Sequence, residues 1–194
     1  MFREIAGALV VLSCASTALV AQVEKGDVEL GFSGSLGWAR STSPGFPDSE
    51  NWGVNGSVAA GFFISDRVDI GGRFGAGYSD YDDGHGYSFT LGPAADYHFR
   101  PASDIVPFVG GGAGYFRRES EYSGGAATST TTGWYAEVGG GADFFLNSFV
   151  SIKLLMQYNH SDGDVKYRDL IVEQDVSSET DNVSMIVGFA FFFK

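Results

Sequence analysis

The chain is poor in cysteine, in charge and in long apolar runs. Its 194 residues include a single cysteine, Cys14, and only 19% are charged. Cys14 lies in the first 21 residues, which read as a removable leader, so the rest has no disulfide framework and no thiol chemistry. Twelve basic residues against 24 acidic ones give a formal net charge of −12. That balance excludes a nucleic-acid partner, because phosphates are repelled. Beyond the N-terminus there is no run of about 18 apolar residues, so no ordinary membrane-spanning helix is expected.

The N-terminal stretch has the layout of a targeting segment. Arg3 supplies an early positive charge, Ala6 to Val20 are largely apolar, and Ala21 is small enough for cleavage. Leu19 is larger than such sites prefer, and cutting after Ala18 is the alternative. The stretch "VLSC", Val11 to Cys14, resembles a lipoprotein signal, although Leu12 fits poorly there. The expected organisation is a signal peptide over 1–21 and one domain over 22–194.

What the chain has in quantity is glycine, 28 residues, and aromatic side chains, 15% of the total. Their arrangement has a period of two. In "DVELGFSGSLGWA" (27–39), Val28, Leu30, Phe32, Leu36 and Trp38 share one parity, while Glu29, Gly31, Ser33, Ser35 and Gly37 share the other. Such alternation specifies an extended strand with two unlike faces. The pattern recurs and predicts eight strands, near 27–39, 51–64, 68–79, 87–99, 106–117, 133–146, 149–159 and 182–193. Connections alternate between short ("SDR", "RPASDI", "NS") and long (about 40–50, 80–86, 118–132 and 160–181). That layout is an up-and-down antiparallel meander.

One parity is apolar in every strand. The other is small or polar, with Glu29, Asp69, Arg73, Asp96, His98, Glu137, Asp143, Lys153 and Gln157 among many glycines, alanines and serines. An eight-stranded barrel has an interior just wide enough to be filled by side chains. The apolar set, with its many Phe, Tyr and Trp, would overfill it; the small and polar set fits. The apolar face therefore points outward to lipid, and the fold class is all-β: an eight-stranded antiparallel up-and-down transmembrane β-barrel. Each segment meets the 9–11 residues or so that a tilted spanning strand needs. Aromatics sort to both ends. Trp38, Trp52, Trp134 and Tyr158 lie beside long loops with Tyr78, Tyr87 and Tyr115. Phe62, Phe63, Tyr97, Phe99, Phe144, Phe145, Phe149, Phe191 and Phe193 lie at the short-turn end. Two belts around an aliphatic band are expected at membrane interfaces. Four phenylalanines crowd the last six residues because lipid is the solvent of the terminal strand.

With "VPFVGGGAGYF" (106–116), "YAEVGGGADFFL" (135–146), "VSIKLLMQYN" (150–159) and its aromatic terminal strand, the chain resembles the small eight-stranded outer-membrane barrels of Gram-negative bacteria. These include the OmpA membrane domain, OmpX and the opacity-type adhesins. The resemblance implies an outer-membrane location reached through the periplasm and a terminal strand read by the outer-membrane insertion machinery. Such a signal usually ends in an aromatic residue, whereas this chain ends in Lys194.

Charges inside a membrane domain need partners. Glu29, Asp69, Arg73, Asp96, Glu137, Asp143 and Lys153 are expected to form a salt-bridged lumen network, all but Glu137 near the short-turn end. A plugged, non-conducting barrel with acidic extracellular loops suits an adhesion or envelope-integrity role. The alternatives are a narrow gated channel and a lipid A-modifying enzyme. For the enzyme, His160 and Ser161 in "NHSDGD" are the candidates, but strand neighbours face opposite ways. No catalytic residue, metal or cofactor is assigned, since His85 and His98 lack partners at metal-ligand spacing. Asp80, Asp82 and Asp83 miss the EF-hand spacing, leaving weak Mg²⁺ or Ca²⁺ bridging to lipopolysaccharide phosphates as the sharper reading of an otherwise solvated acidic rim. The expected partners are outer-membrane lipids, lipopolysaccharide, the insertion machinery and a host or surface ligand at the loops, with no nucleic acid and a monomeric state.

Overall fold

The computed structural model describes residues 23–41, 49–82, 84–99, 103–122, 127–169 and 173–194. The leader, with Cys14, and the segment 42–48 lie outside them. Eight strands follow in order: β1 (Val28–Ser41), β2 (Ser49–Ser65), β3 (Val68–Tyr81), β4 (Gly84–His98), β5 (Ile105–Tyr122), β6 (Ala127–Asn147), β7 (Val150–Asp169) and β8 (Glu173–Phe193). Each pairs antiparallel with its sequence neighbours, and β8 pairs with β1 to close the barrel. Closure satisfies backbone groups that an open edge would leave unpaired in hydrocarbon.

The apolar parity faces outward on every strand. Phe32, Val58, Phe74, Leu91, Val109, Val138, Met156 and Val187 are all exposed on the outer wall. Within that wall the outer belt has polar anchors: the Trp52 indole N–H donates to Asp80 Oδ2 at 3.0 Å, and the Tyr158 hydroxyl to Asp181 Oδ1 at 2.6 Å. A ring apolar at one end and hydrogen-bonded at the other suits a membrane interface. Trp134 also faces outward in this belt; the Trp38 side chain lies outside the described residues. Tyr97, Phe99, Phe144, Phe191 and Phe193 face outward at the short-turn end.

Three features differ from expectation. First, two of the expected long loops, 118–132 and 160–181, are largely strand. β5 and β6 pair as far as Tyr122↔Ala127, and β7 and β8 as far as Arg168↔Glu173. Most of 118–132 and 160–181 is therefore strand, standing above the aromatic belt. "TSTTTG" is polar on both faces because neither face meets lipid there, and its β-branched threonines suit an extended backbone. Second, Phe63 and Phe145 do not belong to the lower belt. They point inward with Phe192, Ala190 and Val23 and form an apolar floor. Third, the seam is short. β1 pairs with β8 only from Val28↔Phe193 to Gly34↔Val187, whereas β1–β2 pairing continues to Ser41↔Ser49. A smaller gap lies between β4 and β5, where pairing skips Gly92 and Pro93; proline has no N–H to give the ladder.

Candidate functional site: the layered lumen

The floor closes the short-turn end. Phe63 is fully buried, packed against Phe192 with ring centroids 6.4 Å apart, and Phe145 lies 5.0 Å from Phe192. The segment before β1 folds across it: Gly26 N–H donates to Phe63 O at 2.9 Å, and Phe63 N–H to Asp27 O at 2.9 Å. Asp27 is buried and accepts from the Glu24 N–H, which turns the chain into β1.

A charged layer rests directly on the floor. His98 at the end of β4 meets Asp69 at the start of β3, with Nε2 2.8 Å from Oδ2. Its other nitrogen, Nδ1, lies 3.8 Å from Asp143 Oδ2. Ser151 Oγ donates to the second Asp143 oxygen at 2.9 Å. The imidazole is held between rings, 5.2 Å from Phe63 and stacked on Phe108 at 5.8 Å. Above it, Lys153 Nζ donates to Glu29 Oε1 at 2.5 Å, stands 4.0 Å from Asp143 Oδ2 and sits 4.7 Å over the Phe108 ring. Glu29 Oε2 and Asp143 Oδ2 are buried without a hydrogen-bond partner.

The next layer is an ion pair between Arg73 and Glu137 Oε1, completed by Gln157 Nε2 donating to Glu137 Oε2 at 2.5 Å. Asp96 faces the small cavity, of about 60 Å³, that separates the two layers. Glycine makes room for these side chains: a Cβ at Gly110 would come within 1.7 Å of Asp96 Oδ1, and one at Gly61 within 2.8 Å of Asp69 Oδ1. Above Arg73 and Glu137 the lumen widens to a polar vestibule of about 280 Å³, lined by Ser, Asn and Thr side chains with Arg118, Phe116 and Tyr135.

Of the charges expected in the lumen, Arg73 joins Glu137, and Lys153 joins Glu29 beside Asp143. Asp69 instead takes His98. The sequence places His98 on the inward parity with Asp96 but leaves it outside the network, because its partners sit far away along the chain.

The outer rim has its own cluster, above Tyr158 and outside the membrane-spanning part. His160 Nδ1 lies 2.9 Å from Asp181 Oδ1 and 3.9 Å from Glu179 Oε1, with the ring 5.4 Å from Trp134. The hydrogen bond to Asp181 holds the His160 pKa above its ordinary value, and the bonds from Tyr158 and then His160 hold Asp181 below the usual carboxylate value. Ser161 faces the vestibule instead, its Oγ directed at Thr180 O. Asp80 and Asp82 are bound to β2, Asp82 accepting from the Glu50 N–H at 2.8 Å. Asp83 and the side chains of Asp169, Glu173 and Asp175 lie outside the described residues.

Solved outer-membrane proteins share this architecture. Neisserial surface protein A matches with a TM-score of 0.55 at 16% identity, over 86% of this chain and 97% of its own. OprG from Pseudomonas aeruginosa matches with a TM-score of 0.61 at 12% identity, over 90% and 99%. AlkL, solved in lipid bilayers, matches with a TM-score of 0.56 at 14% identity, over 88% and 92%. At these identities the likeness establishes the fold. Among curated proteins no relative matches. The model of the outer membrane protein beta-barrel domain matches residues 6–191, nearly the whole length, and the chain belongs to that family of the Gram-negative outer membrane.

Proposed function

We propose that this protein is a closed outer-membrane barrel that presents rigid acidic β-hairpins to partners outside the cell, in adhesion or envelope integrity, and does not conduct. In this reading residues 1–21 are the export signal, the chain acts as a monomer, and outer-membrane lipid and lipopolysaccharide surround it. The observation that carries the reading is the apolar floor of Phe63, Phe145 and Phe192 beneath two charged layers. The vestibule therefore opens toward the long hairpins and ends blind.

Planar-bilayer recording of the refolded barrel tests the closed lumen: silence is expected, and steady unitary currents would replace this reading with the gated channel. The surface role is tested by shortening the β7–β8 hairpin above Tyr158 and Val183. Cells carrying the shortened barrel should lose surface attachment while the protein keeps its compact, heat-modifiable gel band; unchanged attachment removes the role. Against the enzymatic reading, His160 and Ser161 stand on opposite faces of β7, and His160 is engaged by Asp181. Lipid A of unchanged mass in cells carrying His160→Gln is the expected result.

A further inference from the structure

We propose that the lowest charged layer is a Zn²⁺ site, with Glu29, Asp69 and His98 as ligands and Asp143 orienting the histidine. One ligand atom from each of Glu29, Asp69 and His98 lies within 4.8 Å of the other two, and all three residues are buried. This is more than a cluster of acids. Glu29 Oε2 is buried without a hydrogen-bond partner, and so is Asp143 Oδ2 on a residue with no exposed surface. A buried carboxylate oxygen without a partner is costly. Charge points the same way. Four carboxylates, Glu29, Asp69, Asp96 and Asp143, share this part of the lumen with one lysine and one imidazole, while Arg73 is engaged by Glu137. A divalent cation offsets that excess.

A second-sphere carboxylate stands beside the other ring nitrogen, just short of hydrogen-bond contact. A metal-bound histidine characteristically gives its other ring N–H to a carboxylate, which fixes tautomer and orientation. Here Nε2 faces Asp69, and Nδ1 faces Asp143 Oδ2 at 3.8 Å, itself steadied by Ser151. Phe63 and Phe108 fix the ring from both sides. Lys153 occupies Glu29 Oε1 and leaves Oε2 for the ion. Zinc bonds to nitrogen and oxygen are about 2.0–2.2 Å long and tetrahedral ligands then lie roughly 3.4 Å apart, so the 2.8 Å contact between His98 and Asp69 opens by about 0.6 Å on binding. An imidazole with two carboxylates suits zinc, whereas Mg²⁺ prefers oxygen and water.

The test is calorimetric titration of ZnCl2 into the folded, chelator-treated barrel in detergent, with X-ray absorption at the zinc edge. One equivalent is expected, with one imidazole, oxygen ligands and no sulfur, and without competition from millimolar Mg²⁺. His98→Gln should abolish the stoichiometric isotherm. Asp143→Asn should weaken it about 10–100-fold, as loss of an orienting carboxylate does. His160→Gln, at the rim cluster, should leave it unchanged. Each variant is judged only with a compact gel band. Where His98→Gln gives none, His160→Gln decides, because His160, Glu179 and Asp181 offer the same donor set at the rim: binding kept in that variant supports the lumen site, and binding lost with it overturns it. Failure of wild type to bind, a zinc spectrum without imidazole, or a folded His98→Gln that binds as wild type would each overturn the site. The outcome is independent of conductance and of surface attachment.

Discussion

At the scale of single residues, the lumen shows how charge is tolerated inside a membrane domain. Lys153 is the hub: it reaches Glu29, approaches Asp143 and lies on Phe108. Removing one partner of a buried pair leaves the others uncompensated, at a cost of about 3–5 kcal/mol. Lys153→Met should therefore lower the unfolding free energy by about that amount, read from urea titration of tryptophan fluorescence in lipid vesicles. A loss below 1 kcal/mol would mean that water, not Lys153, satisfies Glu29. On the rim, His160 should titrate above the ordinary histidine value because Asp181 holds its proton. Its charged form therefore strengthens the β7–β8 contact at low pH, and that contribution is lost as pH rises through the raised value. Nuclear magnetic resonance of the His160 ring in detergent should show the raised midpoint, and Asp181→Asn should return it toward the ordinary value. An unmoved midpoint in the variant would assign the shift elsewhere.

At the scale of elements, the two-residue period made all eight strands legible, because lipid demands an unbroken apolar face. The same demand ends at the headgroups. In "TSTTTG" and "HSDGDVKY" neither face meets lipid, so alternation fades and hairpins read as loops. The floor was legible in principle: in "GFFIS", "DFFLN" and "AFFFK" adjacent phenylalanines alternate sides, so one of each pair or triple must turn inward. Composition, not parity, had assigned Phe63 and Phe145 to the belt. The short seam left no mark, since strand pairing depends on residues at opposite ends of the chain. It can be tested by oxidation in a Cys14→Ser background. Ser33→Cys with Gly188→Cys, at a paired position, should form a disulfide. Ser35→Cys with Ile186→Cys, one residue-pair beyond the last pairing of Gly34 with Val187, should bridge poorly. Equal bridging would mean that the ladder zips further in the membrane.

At the scale of the whole molecule, the barrel places two unlike barriers in series across its bore. The apolar floor offers an ion no hydrogen bonds, and the Arg73–Glu137–Gln157 layer fills the bore with side chains engaged with each other. An ion entering from the vestibule must disrupt the second barrier and then lose its hydration at the first. Either barrier alone should suffice, because each closes the path by a different physical means. Phe63→Ala with Phe192→Ala should thus remain silent in planar bilayers although it opens the floor, and Arg73→Ala with Glu137→Ala should remain silent although it empties the layer. Only the fourfold variant should conduct. It should favour cations, because Glu29, Asp69, Asp96 and Asp143 then line the open path against Lys153. Steady current through either double variant would mean that one barrier had been doing all the sealing, and silence in a folded fourfold variant would place the closure in the His98 layer between them.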